Sequence, residues 1–216
     1  MTSSLRDIIT LLYGQRARKL ADAIEGLSSS VNSENPHLKI SDVVHVGRLS
    51  TPSIFFLGIA FKFADWELQS KVNDLEEASK TYDTVQALLE AETENGSAKN
   101  TGSHSRNLVR LKRVIDLVRV MLEQVLASGG NSLVEPFTAA YEQVFAPYHG
   151  WTVKKAVIAA LKVLPSKDLL LPLLNEDDDS VKESMQKYIT ASKSVLQYVD
   201  NIFLSTETGA ELLKLI

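Results

Sequence analysis

Cysteine is absent from all 216 residues. No disulfide, thiolate metal site or thiol nucleophile is open to this chain, an absence compatible with the cytosol. Long hydrophobic runs are also missing. The longest, SIFFLGIAF from Ser53 to Phe61, falls far short of the roughly 20 residues a bilayer-spanning helix needs. The N-terminal stretch sets one arginine and an aspartate before its apolar residues. That is no secretory signal pattern, and an extra amphipathic helix or arm over residues 1–15 is expected instead. Without such a signal the sequon Asn95-Gly96-Ser97 carries no weight. Positive charge is scarce: 23 Lys and Arg stand against 27 Asp and Glu, for a net charge of −4. Nucleic acid is therefore not an expected partner, since phosphate-backbone binding usually shows as a basic domain. Any anion site must be local. His37, His45, His104 and His149 lack metal-ligand spacing. Phosphate-cradling glycine loops, dinucleotide fingerprints and nucleophile elbows are missing too. No cofactor, no metal and no catalytic residue are expected, and the chain reads as a non-enzyme.

What the sequence does have is helical periodicity almost throughout, with no sustained strand alternation. The pattern predicts helices over residues 4–13, 16–28, 40–48, 52–63, 66–92, 103–128, 132–145, 150–163, 167–174 and 178–203. Polar loops at 28–37 and 92–103 and the glycine pair at 129–130 separate them. No repeat or linker divides the chain, so one all-α domain over 1–216 is expected. The segment 54–64 is apolar nearly all round, which predicts a helix buried on several sides.

The segment RNLVRLKRVIDLVRV, Arg106 to Val120, is the most informative. On a helical wheel with Arg106 at zero, Lys112, Asp116, Arg119 and Glu123 fall between roughly 220° and 280°, the expected solvated face. Leu108, Leu111, Ile115, Val118, Leu122, Val125 and Leu126 fall between roughly 100° and 200°, the expected core face. Arg106, Arg110 and Arg113 lie within about 40° of zero, and Leu117 and Met121 continue the same line. One stripe is thus cationic for two turns and then apolar. Two readings of it stand: a partly buried edge whose arginines pair with carboxylates, or a site for an amphiphile with an anionic head. Arginine suits the second because its planar fork binds phosphate bidentately and stays charged. Nearby in sequence, Glu67 and Lys71 form an i, i+4 pair, the ordinary spacing of a surface ion pair. His149 follows a proline and precedes a helix.

Four stretches together, FFLGIAFKFADWELQSKVNDL (55–75), GSHSRNLVRLKRVIDLV (102–118), VFAPYHGWTVKKAV (144–157) and YVDNIFLS (198–205), resemble the glycolipid transfer protein family. The likeness runs from about residue 40 onward and is strongest to members that carry ceramide-1-phosphate. It implies a two-layer helical sandwich with an apolar pocket for lipid chains. It also implies that Glu67 meets the ceramide amide and hydroxyl, and that His149 meets the amide carbonyl. Lys71, Arg106 and Arg110 would hold the head group. Arg110 stands where sugar-binding members have a stacking tryptophan, which favours phosphate. Arg113 would extend the cationic field, and Trp151 would sit at the membrane interface. The family's acid is aspartate where this chain has Glu67, one methylene longer.

The expected function is intermembrane transport of a phosphosphingolipid such as ceramide-1-phosphate. A monomeric cytoplasmic protein that contacts membranes transiently would perform it. Two alternatives are a lipid sensor or transfer-impaired relative, and a helical adaptor that binds an acidic protein partner.

Overall fold

The computed structural model describes residues 3–55, 62–164, 166 and 178–215, with the side chains of 3–16, 51–55, 63 and 178 outside the description. The helices are α1 (Ser3–Val31), α2 (Ile40–Phe55), α3 (Lys62–Ala78), α4 (Val85–Glu94), α5 (His104–Ala127), α6 (Val134–Val144), α7 (Trp151–Leu161), α8 (Asp178–Leu204) and α9 (Glu207–Leu212). A short 3₁₀ turn, Ala146–Tyr148, joins α6 to α7. No strand occurs among the described residues; one isolated bridge pairs Lys39 with Thr84.

The helices close a ring of contacts: α1 on α2, α2 on α3, α3 on α5, α5 on α8 and α8 back on α1, with α6 packed on the outer side of α5. The main core fills this ring. Ile24, Leu38, Ile40, Val46, Val72, Leu75, Leu88, Leu108, Leu111 and Phe203 are all fully buried in it. A second, smaller cluster joins Val120 of α5 to Ala140 and Val144 of α6, with Leu117, Met121 and Phe145 against it. Helix α5 is therefore apolar on two opposite faces. Its core face meets the ring, and the stripe of Leu117 and Met121 meets α6.

Several boundaries differ from those the sequence predicts. α1 runs without the expected break at residues 14 and 15. An interior glycine costs a helix only about 1 kcal/mol, and the long contact of α1 with α8 outweighs it. α2 continues past the expected stop at 48. Ser50 there is buried and its hydroxyl donates to the Val46 carbonyl one turn back, so the helix needs no outside partner. The single helix expected over 66–92 is two helices. Thr84 caps α4 by accepting from the Ala87 N–H at 3.2 Å. The turn before it bonds to the start of α2 through Ile40 N–H to Asp83 O, 3.0 Å, and Val85 N–H to Leu38 O, 2.9 Å. These are tertiary bonds that no periodicity reports. α9 was not expected from the sequence; Thr206 caps it through the Gly209 N–H at 3.0 Å. The expected all-round buried helix at 54–64 falls largely, and the helix at 167–174 wholly, outside the described residues.

The charged face of α5 also differs from expectation. Lys112, Asp116, Arg119 and Glu123 are not a solvated face. The Lys112 and Arg119 side chains are only 17% and 16% exposed. Lys112 pairs with Asp200 of α8 at 2.6 Å, and Arg119 joins Asp116 at 2.7 Å and Glu123 at 2.8 Å. α8 packs along this face, so its charges are satisfied by one another and by α8 rather than by water.

Candidate functional site

Helix α5 starts at a doubly fixed end. Ser103 accepts from the Arg106 N–H at 3.2 Å. The buried carboxylate of Glu92 accepts from the N–H groups of His104, 3.1 Å, and Ser105, 2.9 Å. Both satisfy first-turn donors that the helix itself leaves open. Gly102, at φ +84°, supplies the left-handed backbone that turns the loop into this cap. The rotation of α5 is thereby set, and its two-turn cationic stripe emerges beyond the end of the α6 contact. The stripe is apolar at Leu117 and Met121, where it packs on α6, and cationic at Arg106, Arg110 and Arg113.

Facing the stripe is α3. Lys71 Nζ lies 3.0 Å from Glu67 Oε1, with side chains 18% and 42% exposed. Glu67 and Arg106 both act electrostatically on Arg110. Burial, and then the like charge of Arg106, lower the Arg110 guanidinium from its ordinary value, with Glu67 opposing. An arginine so shifted still keeps its charge at neutral pH. Glu67, Lys71, Arg106 and Arg110 thus share one half-buried patch between α3 and α5. Arg110 Nη1 donates to Asn107 Oδ1 at 2.9 Å. Asp65, also on α3, accepts from Gln69 at 2.9 Å.

Arg113 takes a different place from Arg106 and Arg110. It is 5% exposed. Its Nη2 donates to the Leu213 carbonyl at 2.8 Å, and its guanidinium carbon lies 3.6 Å from the centre of the Tyr148 ring. It ties α5 to the end of α9 and to the turn that carries His149. Burial lowers its pKa first of all, with Tyr148 partly offsetting.

His149 stacks on Phe145 with ring centres 5.6 Å apart. Its Nδ1 lies 2.9 Å from the phenol oxygen of Tyr141. A buried tyrosine needs an acceptor for its O–H. Donation to Nδ1 gives it one and leaves the imidazole proton on Nε2, free of the Tyr141 bond. Burial, then the charges of Arg113 and Lys154, hold His149 below its ordinary pKa, so the neutral form prevails at pH 7. Two residues on, Trp151 opens α7 and is 74% exposed. Trp66, beside Glu67, is 64% exposed; a lone aromatic next to polar residues has no periodic signal in the sequence.

Among the described residues, two cavities bear on the site. One, about 210 Å³, is lined by Lys112, Arg113, Asp116, Tyr148 and Asp200 among others and is polar. The other, about 10 Å³, is apolar and lies between Leu38, Leu108, Ile115 and Val199. Neither of these two has the size and lining for a lipid with two chains. No helix among the described residues is long and apolar enough to cross a membrane.

An all-helical chain of this arrangement has the fold of the glycolipid transfer proteins, and the chain belongs to that family: the glycolipid transfer protein model matches residues 40–176. The chain is 42% identical over 195 residues to Accelerated cell death 11 of Arabidopsis thaliana, covering 90% of this chain and 95% of that one. A crystal structure of a mutant of Arabidopsis ACD11 complexed with ceramide-1-phosphate superposes with a TM-score of 0.86 at 41% identity, over 89% of this chain and 96% of that one. A ceramide-1-phosphate transfer protein of Danio rerio is 29% identical over 174 residues, 75% of this chain and 82% of that one.

Proposed function

We propose that this chain, acting as one domain over residues 1–216, is a non-enzymatic carrier. It takes a phosphosphingolipid such as ceramide-1-phosphate from one membrane and delivers it to another. The observation that carries this reading is the convergence of Lys71, Arg106 and Arg110 on one half-buried patch in a chain whose net charge is −4. Such a patch neutralises a phosphate locally without making the whole surface basic. The likeness to a relative crystallised with ceramide-1-phosphate names the head group.

The mechanism follows from the groups present. Lys71 and the two guanidinium forks bind the phosphate. Arg110, already relieved of part of its water by burial, has less hydration left to lose when it meets an anion. Glu67 accepts from the ceramide amide and hydroxyl, and the Nε2–H of neutral His149 donates to the amide carbonyl. The hydrocarbon chains part α6 from α5 and replace the contacts of Leu117, Val120 and Met121 with their own, at roughly 0.8 kcal/mol per methylene buried. Trp151, exposed at the start of α7, rests in the head-group layer during exchange.

The test is transfer of fluorescent lipid between vesicles. Arg106→Leu and Arg110→Leu should each remove a charge-assisted bond of about 1.5–3 kcal/mol and abolish ceramide-1-phosphate transfer with the fold intact. Native transfer rates in both variants, or faster transfer of a neutral glycolipid by the native protein, reject the phosphate assignment. The 3.0 Å Glu67–Lys71 pair favours a second reading, a sensor or slow carrier, because the lysine meant for phosphate is already engaged.

A further inference from the structure

Arg110 does not reach the site unaided. Its Nη1 donates to Oδ1 of Asn107, one turn back on α5. Asn107 is 3% exposed, so none of its polar atoms turns to bulk water. Its Nδ2 donates to Asp74 Oδ2 at 2.7 Å and, more weakly, to the Gly102 carbonyl at 3.4 Å. The same Asp74 oxygen lies 2.9 Å from Nδ1 of His104. Asp74 stands one turn beyond Lys71 on α3, on the face that carries Glu67 and Lys71. The amide's orientation follows from its neighbours. Flipped, it would set its oxygen against the Asp74 carboxylate and its NH₂ against a guanidinium, both repulsive.

We propose that Asn107, held by Asp74, is a positioning residue that aims the Arg110 guanidinium at the lipid phosphate without neutralising it. The inference rests on the head-group reading above. A carboxylate touching Arg110 directly would fix it equally well, but it would also satisfy its charge and compete with the phosphate. The amide interposes a neutral oxygen. Asp74 polarises that amide and so strengthens the bond to Arg110, while its charge stays one side chain away. The contact with Asn107 thus directs the guanidinium and itself adds no negative charge to it, as a phosphate clamp requires. This assigns a function to two polar side chains, buried Asn107 and half-buried Asp74, that the lipid itself would not touch.

The experiment is a double-mutant cycle on equilibrium binding of ceramide-1-phosphate presented in phosphatidylcholine vesicles, with the phosphate-free ceramide as a parallel ligand. Asn107→Leu should weaken ceramide-1-phosphate binding by about three- to ten-fold, a part of the worth of one hydrogen bond to a charged group, and leave ceramide binding unchanged. In an Arg110→Leu background the same substitution should change binding by less than about two-fold, because the group it positions is gone. Asp74→Ala, at a half-buried position, should follow the same pattern with a smaller loss and carries the cycle if Asn107→Leu does not fold. If Arg110→Leu itself binds ceramide-1-phosphate normally, the head-group reading falls and this inference with it. If Arg110→Leu binds weakly while Asn107→Leu binds normally, loses ceramide equally, or loses as much with Arg110 absent, Asn107 is only a structural residue and the head-group reading stands.

Discussion

Glu67→Asp is the substitution that most sharply tests how the candidate site is tuned. Glu67 Oε1 lies 3.0 Å from Lys71 Nζ, one helical turn on, with the lysine 18% and the glutamate 42% exposed. For Lys71 to serve a phosphate this pair must open or be shared. An i, i+4 pair at partial exposure is worth about 0.3–0.5 kcal/mol. Aspartate is shorter by one carbon–carbon bond and does not span the turn as well, so most of that holding energy disappears. It also has one rotor fewer to freeze when its carboxylate meets the ceramide amide, about another 0.5 kcal/mol. The two effects together stay near or below 1 kcal/mol, so affinity and transfer should rise about two- to five-fold. Glu67→Ala separates the contributions. It frees Lys71 just as well but removes the acceptor for the amide and hydroxyl, a charge-assisted interaction of about 1.5–3 kcal/mol, and should transfer more slowly than the native protein. The assay is the initial rate of fluorescent ceramide-1-phosphate movement from donor to acceptor vesicles at matched protein concentration. Should Glu67→Asp transfer no faster than native, Lys71 reaches the phosphate past Glu67 at no cost, and the longer acid impairs nothing.

Three other expectations concern the surroundings of the site. Trp151→Ala should slow vesicle-to-vesicle transfer more than it weakens lipid already bound, because an indole 74% exposed contributes at the membrane and not in a core; unchanged vesicle partitioning together with an unchanged rate would remove that role. Arg113→Leu should lower unfolding free energy by about 1–3 kcal/mol in urea titrations, through the lost bond to the Leu213 carbonyl. A variant as stable as native, with phosphate selectivity lost, would return Arg113 to the head-group patch. His149 should titrate below 6.5 when followed by imidazole proton shifts, since burial and the charges of Arg113 and Lys154 oppose its protonation. Its depressed value means the associated stability is complete above pH 6.5 and is lost as pH falls through the folded-state value; a midpoint at or above 6.5 contradicts this.

How much of this was legible in the sequence depends on which question periodicity can answer. It gives the angle of a side chain around its own helix, and that sufficed to set Arg106 and Arg110 apart from the other charges of α5. It carries no information about the neighbour at that angle. Lys112 and Arg119 look solvated on a wheel, yet α8 covers them and Asp200 and Glu123 answer their charge. Arg113 sits on the same line as the two site arginines. Only the return of the chain at Leu213, a hundred residues later, turns it inward. The breaks at 79–84 and the cap at Thr84 were hidden for the same reason, since their bonds reach back to Leu38 and Ile40. The five positions proposed to hold the lipid come from the family resemblance and not from spacing: Glu67 and Lys71 look like any surface ion pair, and His149 like any lone histidine. Asn107 was readable from neither. A polar residue between Arg106 and Leu108 looks like a solvent position, and its role exists only once α3 brings Asp74 to within 2.7 Å. The groups proposed to touch the lipid are carried over by likeness. Those that aim them are fixed by tertiary contacts, and that is where two carriers with the same cationic residues can differ in selectivity.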